Sequence, residues 1–187
     1  FVTMMTTGDA TDYGDLSVGR DIVTGGGNSI RGIFAGGRTA PAGARTNVID
    51  FITIATLGNA TDFGDLQAAA YMPGKSSACS SLRMVMTMPD AGPYTAGFDF
   101  LTIATTGNAT DFGDASVTRD SPTGTSSATR GVTAGGDSSG ATNVIDYITI
   151  ASTGNATDFG DLTSARNKLQ AGSNKTRAVF AGGQTPT

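Results

Sequence analysis

The amino-acid sequence predicts an all-β fold built from repeated short strands. An eight-residue block recurs four times, apolar and polar residues alternate ahead of each copy, and glycine accounts for 27 of the 187 residues. Charged residues make up only 15% of the chain, against about a quarter in an average soluble domain. Every acidic residue is Asp, so the strong helix former Glu is absent. This composition favours strands joined by tight turns over long helices.

The repeated block reads Gly-Asn-Ala-Thr-Asp-Phe-Gly-Asp. It stands at Gly58–Asp65, Gly107–Asp114 and Gly154–Asp161, and the variant Gly-Asp-Ala-Thr-Asp-Tyr-Gly-Asp stands at Gly8–Asp15. Copies that begin at positions 8, 58, 107 and 154 are 50, 49 and 47 residues apart. A period of this length is typical of a repeat architecture. We therefore expect each copy to occupy the same place in a repeated structural unit.

Two apolar segments accompany each block, and both predict strands. The segments before the block are Phe1–Met4, Phe51–Ile54, Phe100–Ile103 and Tyr147–Ile150. The segments after the block run from an arginine into paired glycines at Arg31–Gly37, Arg130–Gly136 and Arg177–Gly183. The remaining copy, Arg83–Met88, keeps the arginine and the apolar run but continues into Pro89 instead of a glycine pair.

Each period contains about four short strands. In the last repeat they are expected at Val144–Ile150, at Ala156–Leu162, around Ala171-Gly172 and at Arg177–Ala181. Four strands in 40 to 50 residues is typical of a blade of a β-propeller. The sequence thus predicts one β-propeller domain over residues 1–187, with four blades of four antiparallel strands and repeats at about 1–46, 47–95, 96–142 and 143–187.

The two ends of the chain carry complementary parts of a blade. Phe1 aligns with Phe51 and Tyr147, so the chain begins at a third strand, and it ends after a second strand. We expect the N-terminal strands 3 and 4 to pair with the C-terminal strands 1 and 2, which closes the ring and leaves no free sheet edge. A larger ring built from two chains, or an open piece of a longer propeller, is the alternative.

The last repeats resemble a kelch repeat. The order is arginine, small residues, an apolar strand, Gly-Gly, a variable loop, a strand with Tyr or Phe, a Thr-Gly turn, an aromatic residue, Leu and Arg. By this resemblance Tyr147 is the third-strand tyrosine, Gly182-Gly183 the double glycine, Phe159 the counterpart of the tryptophan, and Arg166 the arginine after strand four. The chain has no Trp, so Phe or Tyr stands in that position.

A narrower resemblance concerns the segment from Asn143 through Leu162. This segment is similar to repeats in virion-associated proteins of marine tailed phages, notably those that infect cyanobacteria. Proteins of that kind are tail, fibre or decoration components. The resemblance implies a location in the virion, with other virion proteins or copies of the same chain as partners.

The residue inventory excludes several chemistries. There is no His and only one Cys, Cys79, so histidine-based catalysis and a disulfide within the chain are ruled out. The net charge is −4 and the basic residues are scattered, so we expect no nucleic-acid binding. No apolar run is long enough to predict membrane insertion. We expect no cofactor and no enzymatic activity, since catalysis would have to rest on Asp pairs. Apart from Asp21, Asp90, Asp120 and Asp137, no Asp is distinct from the repeated set.

Arginines recur in two positions of the repeat. Those before the second strand, Arg31, Arg83, Arg130 and Arg177, are expected to hydrogen-bond neighbouring carbonyl groups or to pair with repeated Asp residues. Those after the fourth strand, Arg20, Arg119 and Arg166, are expected in the connection between blades. There they could present guanidinium groups to an anionic or carbohydrate ligand, although a structural role is the preferred interpretation.

Variable segments follow the glycine pairs, and they are where recognition is expected. They are Arg38–Thr46, Pro89–Gly97 and Asp137–Thr142. The candidate ligand-binding residues are accordingly Arg20, Arg38, Arg119, Asp137 and Arg166.

The repeated block also contains oxygen-bearing residues. Asn155, Asp158 and Asp161 could offer hard oxygen ligands to Ca²⁺, but their spacing matches no calcium loop. We expect these residues to be turn formers instead, with the block asparagines, which also form Asn-Ala-Thr glycosylation sequons, placed for their tolerance of left-handed backbone. The repeated aromatic residues, among them Phe63, Phe112 and Phe159, are expected in the core between blades.

Two functional hypotheses follow. The first is a non-enzymatic structural or recognition module of a phage virion that presents variable loops to a host-surface glycan or to proteins. The second is a free lectin-like or protein-binding propeller unconnected to a virus.

Overall fold

The chain is all-β. The computed structural model describes residues 1–40, 43–70, 77–87 and 95–185. Within these ranges there is no helix, and the backbone forms sixteen strands. In chain order they are β1 (Arg20–Asp21), β2 (Thr24–Gly27), β3 (Arg31–Ala35), β4 (Arg38–Thr39), β5 (Ala44–Thr53), β6 (Thr61–Ala70), β7 (Ser77–Cys79), β8 (Arg83–Thr87), β9 (Thr95–Thr102), β10 (Thr110–Arg119), β11 (Thr123–Ser126), β12 (Arg130–Ala134), β13 (Val144–Thr149), β14 (Thr157–Asp161), β15 (Asn167–Ser173) and β16 (Ala178–Gln184).

Three units share one antiparallel topology, in which four strands follow one another across the sheet. The first unit is β2-β3-β5-β6, the second is β7-β8-β9-β10 and the third is β11-β12-β13-β14. Their middle strands have the same register, because Ile33 lies opposite Phe51, Val85 opposite Phe100 and Val132 opposite Tyr147. The prediction of four strands per repeat is confirmed for these three units, and the arrangement is partly propeller-like.

The first unit continues beyond its glycine pair. Gly36 and Gly37 have φ angles of 61° and 113°, which glycine adopts far more readily than other residues, and they turn the chain into β4. Strand β4 pairs with the start of β5 and with β1, so the six strands form one sheet that curls into a half-barrel. The third unit has a smaller version, with bridges from Asp137 to Asp120 and to Ala141. The corresponding Met88-Pro89 of the second unit lies outside the described residues.

The ends of the chain do not pair with each other in this structure. Strands β15 and β16 form a sheet of two strands. Residues 1–15 contain no strand, although Phe1 and Thr11 exchange two backbone hydrogen bonds of 2.5 and 2.9 Å. The strand expected at Phe1–Met4 is therefore absent. Its counterpart in β5 is flanked on both sides by β3 and β6, whereas Phe1–Met4 have only the Thr11 segment beside them. The described residues do not show a closed ring of four blades.

Successive units are joined by one repeated set of hydrogen bonds, which we call the junction. Between the first and second units, the N–H groups of Gly107 and Ala109 donate to the carbonyl groups of Phe63 and Asp65. The N–H group of Asp65 in turn donates to the side-chain oxygen of Asn108 at 3.0 Å. The same three bonds join Gly58, Asn59 and Ala60 to Tyr13 and Asp15, and join Gly154, Asn155 and Ala156 to Phe112 and Asp114.

The junction gives the block asparagines a role that differs from the expected one. Asn59, Asn108 and Asn155 do not adopt left-handed backbone, so that expectation is wrong. The preceding glycines carry the positive φ angles, between 146° and 152°. The asparagine side chain instead accepts a hydrogen bond from the preceding repeat and satisfies a backbone group at the edge of its sheet.

The aromatic residues lie between units wherever a following unit covers them. Each third-strand ring meets a fourth-strand ring edge-on, with centroids 5.9 Å apart for Phe51 and Phe63 and 5.8 Å apart for Phe100 and Phe112. Phe63 and Phe112 are each 2% exposed, which confirms their predicted place in the core. The prediction is wrong for Phe159, which is 55% exposed because no third and fourth strands of a further unit lie over it.

The junction predicts a specific loss of stability. We expect Asn108→Ala to lower the free energy of unfolding by about 0.5–1.5 kcal/mol, because the Asp65 N–H group, at the exposed side of the junction, exchanges its side-chain acceptor for water. Asn108→Asp is the matched control, since it keeps the accepting oxygen and is the residue that the first copy of the block carries at Asp9. Urea denaturation of the three proteins measures the difference. Equal losses for both variants would contradict the role assigned to the side-chain oxygen.

Candidate functional site

Charged side chains gather around a buried aspartate on the third strand of each unit and, in the first and third units, directly after the glycine pair. The buried aspartates are Asp50, Asp99 and Asp146, each directly before an aromatic residue on β5, β9 or β13. All three are at most 2% exposed. Buried carboxylates need hydrogen bonds or a counter-charge, so their partners define what this region can do.

A residue of the preceding repeat holds each buried aspartate with two hydrogen bonds. Ser116 donates to Asp146 from its backbone N–H at 3.3 Å and from its hydroxyl at 2.5 Å. Ser17 does the same for Asp50, at 3.1 and 2.6 Å. Gln67 donates to Asp99 from its N–H at 3.2 Å and from Nε2 at 2.5 Å. These bonds add a polar connection to each junction.

Two of the predicted ligand-binding arginines neutralise buried aspartates. Arg20 Nη2 lies 3.0 Å from Asp50 Oδ2, and neither side chain is exposed. Arg119 Nη2 lies 2.8 Å from Asp146 Oδ2, and burial lowers the pKa of Arg119 while Asp146 opposes that shift. Arg20 and Arg119 also donate to the carbonyl groups of Phe34 and Val144. In this structure both guanidinium groups are enclosed between strands and present no surface to a ligand.

The second unit lacks this ion pair. Ala70 stands at the repeat position of Arg20 and Arg119, and it is fully buried. Asp99 therefore relies on Gln67, and burial raises the pKa of Asp99, with Asp111 adding to the increase. The buried carboxylate is therefore paired with an arginine in the first and third units, whereas in the second unit it accepts hydrogen bonds from Gln67.

The arginines before the second strand connect one unit to the next. Arg31 Nη1 donates to the carbonyl of Ile103 at 2.8 Å, and Arg83 Nη1 donates to that of Ala151 at 2.9 Å, as the sequence predicts. Each guanidinium also stacks on the third-strand ring of its own unit, 4.5 Å above Phe51 and 4.8 Å above Phe100. Arg130 stacks in the same way, 4.2 Å above Tyr147. Such stacking adds a cation–π attraction to the hydrogen bond.

The other candidate residues lie beyond the glycine pairs. Arg38 forms a bidentate ion pair with Asp21, with contacts of 3.1 and 2.8 Å, and about half of each side chain is exposed. Hydrogen bonding to Arg38 lowers the pKa of Asp21. Asp137 occupies the equivalent place in the third unit, opposite Asp120. One place in the fold thus carries opposite charges in the two units.

Asp137 and Arg166 lie near each other. Asp137 accepts hydrogen bonds from Gly140 N at 2.8 Å and from Asn167 Nδ2 at 3.3 Å. Arg166 donates to the Ser164 hydroxyl and to the carbonyl of Gly182, so it ties β16 to the end of the third unit. The structure thus brings the predicted site residues together through their neighbours in the chain, with Arg20-Asp21 beside Arg38 and with Arg119-Asp120 and Arg166-Asn167 beside Asp137.

The calcium candidates serve local structure. Asn155 accepts the junction hydrogen bond from Asp114, and Asp158 Oδ1 accepts one from Gly160 N at 3.1 Å. Asp161 pairs through its backbone with Val144 on β13. No group of three His, Cys, Asp or Glu side chains suited to a metal ion occurs among the described residues.

A groove lies between the third unit and β15-β16, and sequence reasoning did not anticipate it. Its volume is about 460 Å³. Its charged lining residues, Arg130, Lys175 and Arg177, are all cations, and the rings of Phe159 and Phe180 lie beside them. The arginines were visible as a repeated feature, but the groove exists only because β16 has no third strand next to it.

A second set of residues that sequence reasoning missed caps the turn between the first and second strands. In the four repeats, Asn28, Ser80, Ser127 and Asn174 each accept hydrogen bonds from the backbone N–H groups two and three residues later. The signal was present in the sequence, since an Asn or Ser stands three residues before every arginine that begins the second strand. Each arginine is therefore oriented at its base by a fixed turn.

The fold and these contacts define an all-β repeat protein of antiparallel units with polar, interlocked junctions. No known family profile matches the chain, and no curated protein matches it in sequence. Among the described residues, no helix has the length and hydropathy needed to cross a membrane.

The buried aspartates predict two different responses to the same substitution. We expect Asp146→Asn to lower the free energy of unfolding by about 3–5 kcal/mol, because it leaves Arg119 buried without a counter-charge. Asp99→Asn is the matched control, since the Gln67 amide can rotate to donate to or accept from the new amide. We expect no loss from this control. Similar losses in thermal and urea unfolding would contradict the difference between the two sites.

Asp99 also predicts a pH dependence. Because its pKa is raised above the ordinary 3.8, the folded protein keeps a proton that the unfolded chain has already lost. The protonated group stabilises the fold below the ordinary pKa, and this contribution disappears as the pH rises through the folded pKa. We therefore expect the stability of the wild type to fall relative to Asp99→Asn as the pH rises from 3.8. A constant difference in melting temperature over that range would contradict this expectation.

Proposed function

We propose that the chain is a non-enzymatic structural and recognition module of a phage virion, in a tail, fibre or decoration protein. In this proposal its units belong to a kelch-like β-propeller of four blades closed into a ring. Its partners are other virion proteins or copies of itself, and its loops contact a host-surface glycan or protein. The resemblance of Asn143–Leu162 to virion proteins of marine tailed phages supports the location.

One observation carries the structural part of the proposal, namely that the junction repeats with the same atoms three times along the chain. Each junction combines backbone bonds, an asparagine side chain and a buried aspartate. Such a stack resists bending because the repeated contacts are short-range and directional. Rigidity of this kind suits a particle component that must hold its shape.

The recognition part rests on the contrast between the junctions and the segments after the glycine pairs. The side chain at that place is Arg38 in the first unit and Asp137 in the third, although the strands around it superimpose in register. A rigid scaffold that carries dissimilar exposed residues at equivalent places is typical of a binding surface. The ion pair of Arg38 with Asp21 is about half exposed and could exchange its partner for an anionic group.

A lectin-like protein unconnected to a virus is the second candidate. The groove beside β16 favours it, since aromatic rings, hydroxyl groups and cations line the same space. That combination suits an acidic saccharide. If residues of a completed ring fill the groove, no saccharide site remains there for the lectin-like function.

The location can be tested on particles. We expect mass spectrometry of purified virions of the encoding phage to find peptides of this chain in a fixed ratio to the capsid protein. Peptides found only in the medium of the producing cells, together with binding of the chain to a glycan array, would replace the proposal with the lectin-like candidate.

The recognition role predicts a surface effect. We expect Arg38→Ala to weaken binding of the purified chain to host cells by several-fold, because it removes the half-exposed guanidinium of the loop region. Lys168→Gln is the control, since it removes one exposed positive charge elsewhere. Unchanged binding for Arg38→Ala, or an equal loss for both variants, would count against recognition through this place. Circular dichroism verifies that both variants fold.

A further inference from the structure

We infer that two copies of this chain associate through the end of the first and second units at which the turns β2–β3, β5–β6, β7–β8 and β9–β10 lie. We call it the turn end. Three aliphatic side chains there, Ile30, Leu57 and Leu82, are exposed by 64%, 63% and 67%, and we call them the apolar tips. Exposed aliphatic side chains grouped on neighbouring turns are typical of an interaction surface. Copies of the chain are among the partners in the proposed function, which leaves their contact surface open.

The apolar tips lie on turns that contact each other. In the first unit the N–H group of Ile54, which begins the turn β5–β6, donates to the carbonyl group of Ile30 at 2.8 Å. The side chain of Asn28 reaches the second unit and donates to the carbonyl group of Ser81, next to Leu82, at 2.9 Å. The turn end is therefore one continuous surface across two units.

The fold does not require aliphatic residues at these positions, because other repeats carry threonine there. Thr129 of the third unit stands at the position of Ile30 and Leu82, and its side chain is exposed as theirs are. Thr106 of the second unit stands at the position of Leu57. Leu82 has a complete unit on either side, so its exposure does not come from an end of the sequence. An aliphatic side chain with so little packing inside the chain points to a contact outside it.

The backbone at two of the apolar tips is already hydrogen-bonded within the chain. The N–H group of Ile30 donates to the side-chain oxygen of Asn28 at 2.9 Å, and its carbonyl group accepts from the residue that follows β5. The N–H group of Leu82 donates to the Ser80 hydroxyl at 3.2 Å, and its carbonyl group accepts from the residue that follows β9. Removal of water from these two residues therefore leaves no backbone group unpaired, and unpaired groups are the main polar cost of a dry interface.

The turn end carries no charge in its turns. The four turns, all within the described part of the chain, contain only Asn, Ser, Thr, Ala, Ile and Leu, and they span residues 28–30, 54–57, 80–82 and 103–106. The adjoining arginines, Arg31 and Arg83, stack on aromatic rings and donate to carbonyl groups of the next unit. The exposed ion pair of Asp21 with Arg38 lies at the opposite end of the first unit, beyond the end of β3.

A second copy is the partner that these features favour. The chain has a net charge of −4, so two copies repel each other wherever their charged surfaces meet, and the turn end brings no charged turns together. A contact with twofold symmetry uses each apolar tip twice, which matters for a patch of three side chains. A nucleic acid or an anionic lipid surface finds no free cation in these turns.

Replacement of two apolar tips by the residue that the third unit carries tests the contact. We expect the purified chain to be a dimer at micromolar concentration in sedimentation equilibrium. We expect Ile30→Thr combined with Leu82→Thr to raise the dissociation constant about a hundredfold, because four aliphatic side chains leave the interface. Val179→Thr is the matched control, since Val179 is also 64% exposed but lies on β16. The control should dimerise as the wild type does, and circular dichroism verifies that all variants fold.

A monomeric wild type would overturn the inference, as would a dimer that the paired substitution leaves unchanged. A dimer that dissociates only with Val179→Thr would assign the contact to β16 instead. Binding of a monomeric wild type to phosphatidylcholine vesicles would assign the apolar tips to a lipid surface and equally overturn the inference. If the paired variant does not fold, Leu57→Thr replaces it, since Thr106 shows that this turn accepts threonine.

An added charge tests the same surface in a second way. Ser81→Asp places a carboxylate on the turn end, so the two copies would bring like charges together, and we expect the dimer to dissociate. Ser139→Asp is the control, because Ser139 is exposed beyond the glycine pair of the third unit and has a φ angle of 67°, which Asp tolerates. Equal dimerisation of the two variants would contradict a contact through the turn end.

The contact between copies and the virion role can fail separately. Sedimentation of the purified chain does not depend on where the protein resides, and the particle assay does not depend on which face the copies use. A monomer whose peptides are found in virions would keep the virion role and remove the contact. A dimer that is absent from virions would keep the contact and remove the virion role.

Discussion

The hydrogen bond from a fourth-strand N–H group to a block asparagine is the contact on which the stacking of units depends. Without it, only the two backbone hydrogen bonds of the junction would connect the fourth strand to the next unit. Asn108 and Asn155 supply the acceptor from the turn that follows the third strand. A glycine on the fourth strand lets this turn approach closely, since a Cβ at Gly64 or Gly113 would meet the carbonyl group of Gly107 or Gly154 at 2.5 Å. Each of these copies of the eight-residue block therefore forms an interface with the preceding repeat.

The buried aspartates fix the orientation of each repeat relative to the preceding one. A carboxylate with no exposure is costly unless its hydrogen bonds and charge are matched, so each one fixes the distance and rotation of the preceding repeat. Asp50 and Asp146 are matched by arginines, and Asp99 by the Gln67 amide. The second unit therefore keeps the geometry with a weaker electrostatic match, because the buried Ala70 stands where the other two ion pairs have an arginine. The junctions are equivalent in shape and unequal in charge.

The sequence predicted the repeats and their strands well because both follow from local patterns. Alternation placed β13 and β14 within one or two residues, and the period placed the units. The strand at Phe1–Met4 was predicted from the same alternation and is absent, because a strand also needs neighbours on its edges and residues 1–15 have one. The ion pairs could not be predicted from the sequence, for a different reason. Arg119 and Asp146 are 27 residues apart and belong to different repeats, so only the stacking of units brings them together. The asparagine role was missed because a turn residue and an interface residue look alike in sequence.

The division between fixed junctions and variable ends constrains how such a molecule can recognise a partner. The side chains of the junctions make the contacts between units, so a substitution of one of them alters the stacking of the units. Arg38 pairs with Asp21 of its own unit, whereas Asp137 accepts a hydrogen bond from Asn167 on β15, so the two equivalent side chains differ in charge and in their contacts. In the proposed recognition role, a partner at this end would meet an arginine at the first unit and an aspartate at the third, at a spacing that the repeated junction hydrogen bonds set. Specificity then comes from the arrangement of several weak, exposed contacts over more than one unit, and rigidity of the stack determines how many of them engage at once.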